Sequence, residues 1–393
     1  MASDSFDEQT GARVCSIATD SPFWPPRRKH RMSRYSRFIG FLACVLGLVE
    51  ILAALTWADD PEVPTYTSRA EADEDYVFQG EYRGWQRANA SLRSSESIAM
   101  QVVALGDGKF DVVKYYGGLP GAGWRKPEKF VMSGVRSADR VALSGTQYDG
   151  EILGSTLRLI AKDGRAAGQL DRVERVSPTM GARPPQGAIV LFGDGDLSHW
   201  KDARKTPEGL LMAGTETVQE FGDFRLHGEF MLPYKPLARG QGRGNSGFYL
   251  QGRYEVQVLD SFGLEGIENE CGALYKTKRP DTNLCLPPLQ WQTYDIDFTN
   301  AKFDAEGNKT SNMRITVWHN GVVIHHAASI PNKTGAGKPE GPQPLPIKLQ
   351  EHGNPVVYRN IWLIDKSQPV ADSIPWLKLP LVASPVPLEV LGW

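Results

Sequence analysis

The most constraining feature is the way the chain is written from Tyr76 onward: short runs of β-branched, aromatic and aliphatic residues, each stopped by Gly, Asn or Asp. From 188 to 366 no amphipathic stretch persists for three helical turns. Strands without a helical layer must cover their apolar faces with one another, which predicts a two-sheet sandwich or jelly roll for residues 188–366. His319-Asn-Gly321, between Met313–Trp318 and Val322–His325, is a strong hairpin signal. An earlier series includes Tyr76-Val-Phe-Gln-Gly80, Ile98-Ala-Met-Gln-Val-Val103, Phe110–Tyr116, Val141-Ala-Leu143 and Ser155–Ile160. That spacing predicts a small β-rich domain at residues 76–176. Between the two, Ser177–Gly187 gathers turn residues and two adjacent prolines, the best linker in the chain. The expected fold class is all-β, a small β-rich domain followed by a C-terminal jelly-roll sandwich.

A length of 393 residues fits two such domains, and a net charge of −2 argues against nucleic acid as the main partner. Before them, Phe38–Leu55 is an 18-residue, mostly apolar run with one acid, Glu50, preceded by Arg34 and Arg37 and followed by Thr56-Trp57-Ala58. This layout predicts a signal peptide over 1–58, cut after Ala58, with Met32 as an alternative start. The expected location is periplasmic or extracellular, with no membrane span after cleavage. The competing reading is an N-terminal membrane anchor, since such a run just spans a bilayer core of about 30 Å. Residues 59–75 read as a polar tether, and 367–393, with five prolines, as a strap or tail. Cys271 and Cys285 remain in the mature chain. In an exported protein they could close a disulfide contributing about 3 kcal/mol; the alternative is two separate buried thiols.

Several chemistries lack their motifs: there is no Gly-rich phosphate loop, no Gly-x-Ser-x-Gly, no Cys-x-x-Cys and no His-Glu-x-x-His. Polar residues instead interrupt strands at three places. In Tyr254-Glu-Val-Gln-Val-Leu-Asp260, Glu255 and Gln257 share one face. Gln350 and His352 share a face in Ile347–His352, followed by Tyr358-Arg-Asn-Ile-Trp362; Asn245-Ser enters a third strand between glycines. One such pair is ordinarily a solvated face. Three, interleaved with aromatics, suit a sugar, whose C–H faces stack on rings while its hydroxyls bond amides and carboxylates. Ordinary glycoside hydrolysis needs two carboxylates, yet Glu255 and Asp260, five apart on one strand, face opposite sides. Trp200, Trp318 and Trp362 read as core, His325 and His326 as surface, and Asp304–Asn308 as a polar turn rather than a Ca²⁺ loop.

The second domain resembles the 3-keto-disaccharide hydrolase domain, a concanavalin-like jelly roll of exported bacterial proteins. The resemblance is carried, in order, by Leu191-Phe192 with Leu197-x-x-Trp200, Phe221-Gly-Asp-Phe224 leading to Glu229-Phe230, Asn245-Ser-Gly247, Tyr254–Asp260, Gly272-Ala-Leu-Tyr275, Trp291-Gln-Thr-Tyr294, Asn320-Gly321, Leu349-Gln-x-His-Gly353 and Arg359-Asn-Ile-Trp362. It implies cleavage of glycosides already oxidised to a ketone at C3, through C2-proton abstraction, elimination and hydration. Set onto this sequence, it implies Glu255 as base or metal ligand and His352 as proton shuttle or ligand. Lys276, Arg359 and Gln257 would hold oxygens, and Asn245 and Gln350 would orient hydroxyls. Tyr254, Tyr275 and Trp291 would form stacking walls. Glu255 and His352, on facing strands, could also hold one divalent ion. The rival reading is a non-catalytic carbohydrate-binding or adhesion module.

Overall fold

The computed structural model describes residues 63–87, 94–125 and 129–368. The signal-peptide reading of 1–58 and most of the Pro-rich tail lie outside them. Among the described residues there is no α-helix, only a 3-10 turn at Gly240–Gly242, and none is long and apolar enough to cross a membrane.

The first domain is a closed antiparallel barrel of eight strands. They are β1 (Gly80–Arg87), β2 (Ser95–Gly106), β3 (Lys109–Tyr116), β4 (Phe130–Ser137), β5 (Arg140–Ser144), β6 (Tyr148–Leu153), β7 (Thr156–Ala161) and β8 (Ala166–Val173). Each hairpin passes to the next, and β1 pairs with β8, so no edge is left open. Tyr82, Met100, Val102, Phe110, Leu143, Ile152 and Leu170 fill the interior, joined by Tyr234 and Leu289 from the second domain. The acidic stretch that reads as a tether is packed from Tyr66 onward. Tyr66 exchanges both backbone hydrogen bonds with Tyr234 at 2.9 Å and stacks on its ring.

The second domain is a sandwich. Its strands are β9 (Ile189–Phe192), β10 (Trp200–Lys201), β11 (Leu211–Met212), β12 (Thr215–Thr217), β13 (Phe224–Met231), β14 (Asn245–Leu250), β15 (Tyr254–Leu259), β16 (Trp291–Thr299), β17 (Lys302–Phe303), β18 (Lys309–Ser311), β19 (Met313–His319), β20 (Val322–Ile330), β21 (Lys348–Leu349) and β22 (Val357–Asp365). The front sheet runs β10-β12-β21-β14-β15; the back sheet runs β11-β22-β13-β16-β19-β20, with β9 on β22. Alternation sends Phe248, Leu250, Tyr254, Val256 and Val258 inward against Phe230, Tyr294, Ile296, Ile361 and Leu363. The Asn-Gly hairpin forms as read, with φ of 49° at Asn320 and 78° at Gly321. Trp200, Trp318 and Trp362 are buried. The Asp304–Asn308 turn closes on itself, Asp304 accepting the backbone N–H groups of Glu306 and Asn308.

The segment read as a linker is docked. Ser177 and Thr179 are buried, bonded to each other and to Thr293, and the Thr179 hydroxyl donates to Asp295 at 2.6 Å.

A polar face on the front sheet

Asn245, Gly247 and Tyr249 on β14 and Glu255 and Gln257 on β15 alternate with the inward residues and point to the far side of the front sheet. Lys348 and Gln350 follow from β21. Register aligns one row across all five strands: Lys201 opposite Glu216, Glu216 opposite Lys348, Lys348 opposite Tyr249 and Tyr249 opposite Glu255. Lys201 and Glu216 pair at 2.9 Å; the Lys348 ammonium lies 6.0 Å from the Tyr249 ring centre.

Glu255 is the centre of this face. It is 1% exposed, and Gly247 opposite Gln257 gives it room: a Cβ built there would stand 2.5 Å from Oε1. Oε2 is buried without a hydrogen-bond partner. Gln257 satisfies its surroundings with its amide turned so that Nε2 donates to Oε1 at 2.9 Å and to Ser246 O at 2.9 Å. Burial lifts the Glu255 pKa to about 7, against the opposing pull of the Tyr249 hydroxyl and the Lys348 charge. The same burial, with the neighbouring carboxylate, raises the Tyr249 phenol. Asn245 donates to Gln241 O at 3.0 Å. The Gln350 side-chain oxygen is a second buried acceptor without a partner.

One wall of the face is residues 272–275, which run along the free edge of β15. Gly272 donates to Gln257 O, Gln257 to Ala273 O and Tyr275 to Glu255 O. The Tyr275 ring and Glu255 Oε2 both face Gly335, in the loop whose Thr334 hydroxyl accepts the Glu255 N–H at 2.7 Å.

The other expected site residues fall elsewhere. Tyr254 is core, because the period of two that turns Glu255 outward turns its neighbour in; its hydroxyl donates to Glu340 at 2.6 Å. Lys276 is exposed with φ of 54°, its ammonium 5.4 Å from the centre of the Tyr275 ring. His352 is exposed in the turn after β21, with no hydrogen bond from its ring among the described residues. Trp291 and Arg359 belong to the outer face of the back sheet. There the guanidinium carbon sits 3.9 Å from the Trp291 ring centre and Nε donates to Glu229 at 2.7 Å.

That outer face carries its own buried network. His227 meets Asp295 at 2.6 Å, and Glu229 accepts the Asn360 amide and the Gly181 N–H. Burial works against a charged His227, but Asp295 and Glu229 outweigh it and raise its pKa to about 9. Glu229, also opposed by burial, falls to about 2 through His227, Asn360 and Arg359. Asp260 is likewise spent, held by Arg243 at 2.6 Å.

Cys271 and Cys285 are free, buried thiols, not a disulfide. The Cys271 sulfur contacts the Tyr294 hydroxyl at 3.3 Å and that of Cys285 the Leu259 carbonyl at 3.5 Å. His325, read as a surface residue, is buried and bonds Gly272 O at 2.7 Å through Nε2, with burial lowering its pKa to about 4. Tyr249, Lys348 and Thr334 went unnoticed in the sequence. Tyr249 carried a signal, since it continues the alternation of Asn245 and Gly247; Thr334 carried none, because only tertiary folding brings it to Glu255. Among the described residues no three His, Cys, Asp or Glu side chains cluster as a metal site would require.

A jelly-roll domain with one enclosed carboxylate on a polar sheet face defines the class. Residues 187–364 match the 3-keto-alpha-glucoside-1,2-lyase-like domain family, and the chain belongs to that family through this domain. Three solved structures from Parabacteroides distasonis ATCC 8503, provisionally assigned as glycosyl hydrolases, are similar to it. One, at 34% identity, is matched over 84% of its length and 46% of this chain, with a TM-score of 0.43. The others, at 18% and 21% identity, are matched over 92% and 98% of their lengths and 48% and 45% of this chain, with TM-scores of 0.31 and 0.32. No curated protein matches the chain.

Proposed function

We propose that the second domain is a carbohydrate-active enzyme that cleaves 3-keto glycosides, with Glu255 as the base that removes the C2 proton. The observation carrying this reading is a single carboxylate, raised to about 7 and with Oε2 unpartnered, among amides and a phenol. Double-carboxylate hydrolysis has less support, because Asp260, the nearest acid along the strand, is consumed by Arg243.

In this reaction the C2–H pair of electrons forms the C2–C3 enolate as Glu255 takes the proton. As the C3 carbonyl re-forms, the enolate electrons make a C1–C2 double bond, the C1–O bond breaks with its electrons on the aglycone oxygen, and that oxygen takes the proton held by Glu255, which is left as the carboxylate. Water then adds across C1 and C2 and restores the 3-keto sugar. Lys348 and Tyr249 are the groups suited to hold the C3 oxygen as charge develops. Asn245, Gln257 and Gln350 would orient hydroxyls and Tyr275 would face the ring. His352, at the solvent side, would pass protons to water.

The test is incubation of the mature protein with a 3-keto disaccharide and with its unoxidised parent, with and without chelator. Release from the keto substrate alone, lost in Glu255→Gln, supports the reading; chelator sensitivity adds a divalent ion. Glycan binding without release from either assigns a recognition module instead. We also propose export, tested by the N-terminus of the protein recovered outside the cytoplasm: Asp59 supports cleavage, and retention in membranes with an intact N-terminus supports the anchor.

A further inference from the structure

We propose that the barrel is the backstop of the front-sheet site, fixing the segment Asp260–Gln290 that walls Glu255; the activity readout of this inference rests on the function proposed above. The outer face of β2 and β3 should be wet in a free-standing barrel, yet Gln101, Val103, Val113 and Tyr115 are all buried. What covers them includes this segment. A Cβ built on Gly263 would stand 2.4 Å from a Val103 methyl and 3.9 Å from Val113. Further along, Glu265 pairs with Lys129 at 3.0 Å, the Leu284 side chain lies against Gly121, and the Tyr76 hydroxyl donates to Pro288 O at 2.9 Å. Leu289 enters the barrel core outright.

The segment is therefore held to the barrel near both ends, at 263–265 and 284–289. Between those anchors it turns back along β15, where its backbone bonds bracket Glu255 and Gln257 and deliver Tyr275 to the carboxylate. No other strand of the front sheet covers that edge of β15. A shift of the anchors would be transmitted to Tyr275 and would admit water to Glu255. Gly263, Val103 and Val113 act as positioning residues, since none touches the polar face.

The experiment uses the full mature protein. Gly263→Ala adds a methyl that collides with Val103, at a φ of 76°; the pair Gly263→Ala/Val103→Ala removes the collision. In Gly263→Ala, amide exchange across 272–275 should rise and kcat on the 3-keto disaccharide should fall by about ten- to a hundredfold. KM should change little, and the acid limb of the pH profile should move below 7 as Glu255 is hydrated. The pair should recover the part of each loss that the collision causes, the backbone cost of Ala at this φ remaining in both variants. If Gly263→Ala does not fold, Val103→Ala/Val113→Ala, which only removes contacts, gives the same readouts. Unchanged exchange in a folded variant overturns the mechanical coupling. Raised exchange with an unaltered rate and pH profile overturns the role in the site. If the wild type cleaves nothing, it is the functional reading that fails, and the exchange measurement still decides whether the barrel holds the segment.

Discussion

The Glu255 carboxylate occupies the space that a side chain at Gly247 would fill, with Oε1 2.5 Å from where that Cβ would be. The two residues lie on adjacent strands, so the smallness of one sets the place of the other. Gly247→Ala should push the carboxylate off its position and lower kcat/KM by about a hundredfold, the scale of a 1 Å misplacement. Because both strands keep their ladder, the melting temperature should move by only a few degrees. Kinetics beside a thermal melt checks this; full activity in the variant would refute the assigned geometry.

Glu255 must be ionised to act as a base, and its pKa is raised to about 7. Activity should therefore rise with pH through about 7 and be lost below it. Tyr249→Phe removes a group that lowers this pKa, so the limb should move upward. The pH dependence of kcat/KM for the two proteins decides it. The same shift has the opposite sign for stability: the folded state holds this proton more tightly than the unfolded chain, so the Glu255 contribution weakens as pH rises from about 4.5 to about 7.

On the back sheet the charges work the other way. The His227 pKa is raised to about 9, so its contribution is complete below about 6.5 and disappears as pH rises through 9. The depressed Glu229 contributes above about 4.5 and loses this as pH falls towards 2. Urea midpoints should be highest between these limits. Asp295→Asn leaves His227 without its close partner and should cost about 3–5 kcal/mol, as breaking a buried ion pair does.

Among the described residues both cysteines, Cys271 and Cys285, are buried and unbridged. A thiol reagent should find neither in the native protein and both in guanidinium chloride without reductant. Failure to react after unfolding would mean that they bridge in the isolated protein.

Local pattern was enough for much of the architecture. Asn320-Gly321 announced its hairpin through residues that accept positive φ, and alternation along β15 put Glu255 and Gln257 on one face; that Asn245 joins them follows from the pairing of β14 with β15. What local pattern does not contain is which sheet a strand joins. Trp291-Gln-Thr-Tyr294 and Arg359-Asn-Ile-Trp362 look like cleft strands, but β16 and β22 pair with β13 in the back sheet, and their polar residues serve Glu229 and Asp295. His325 shows the same limit, because the carbonyl that buries it belongs to Gly272. Tyr254 was legible in principle, since it must oppose Glu255.

The barrel core includes Tyr234 and Leu289, which follow all eight of its strands in the chain. During synthesis those strands leave the ribosome before either residue has been added. A nascent chain ending at 176 would have Tyr66 and Tyr76 without the ring they pack on and the barrel floor without its last leucine. The order of birth is thus the reverse of the order of completion: the half made first is the half finished last.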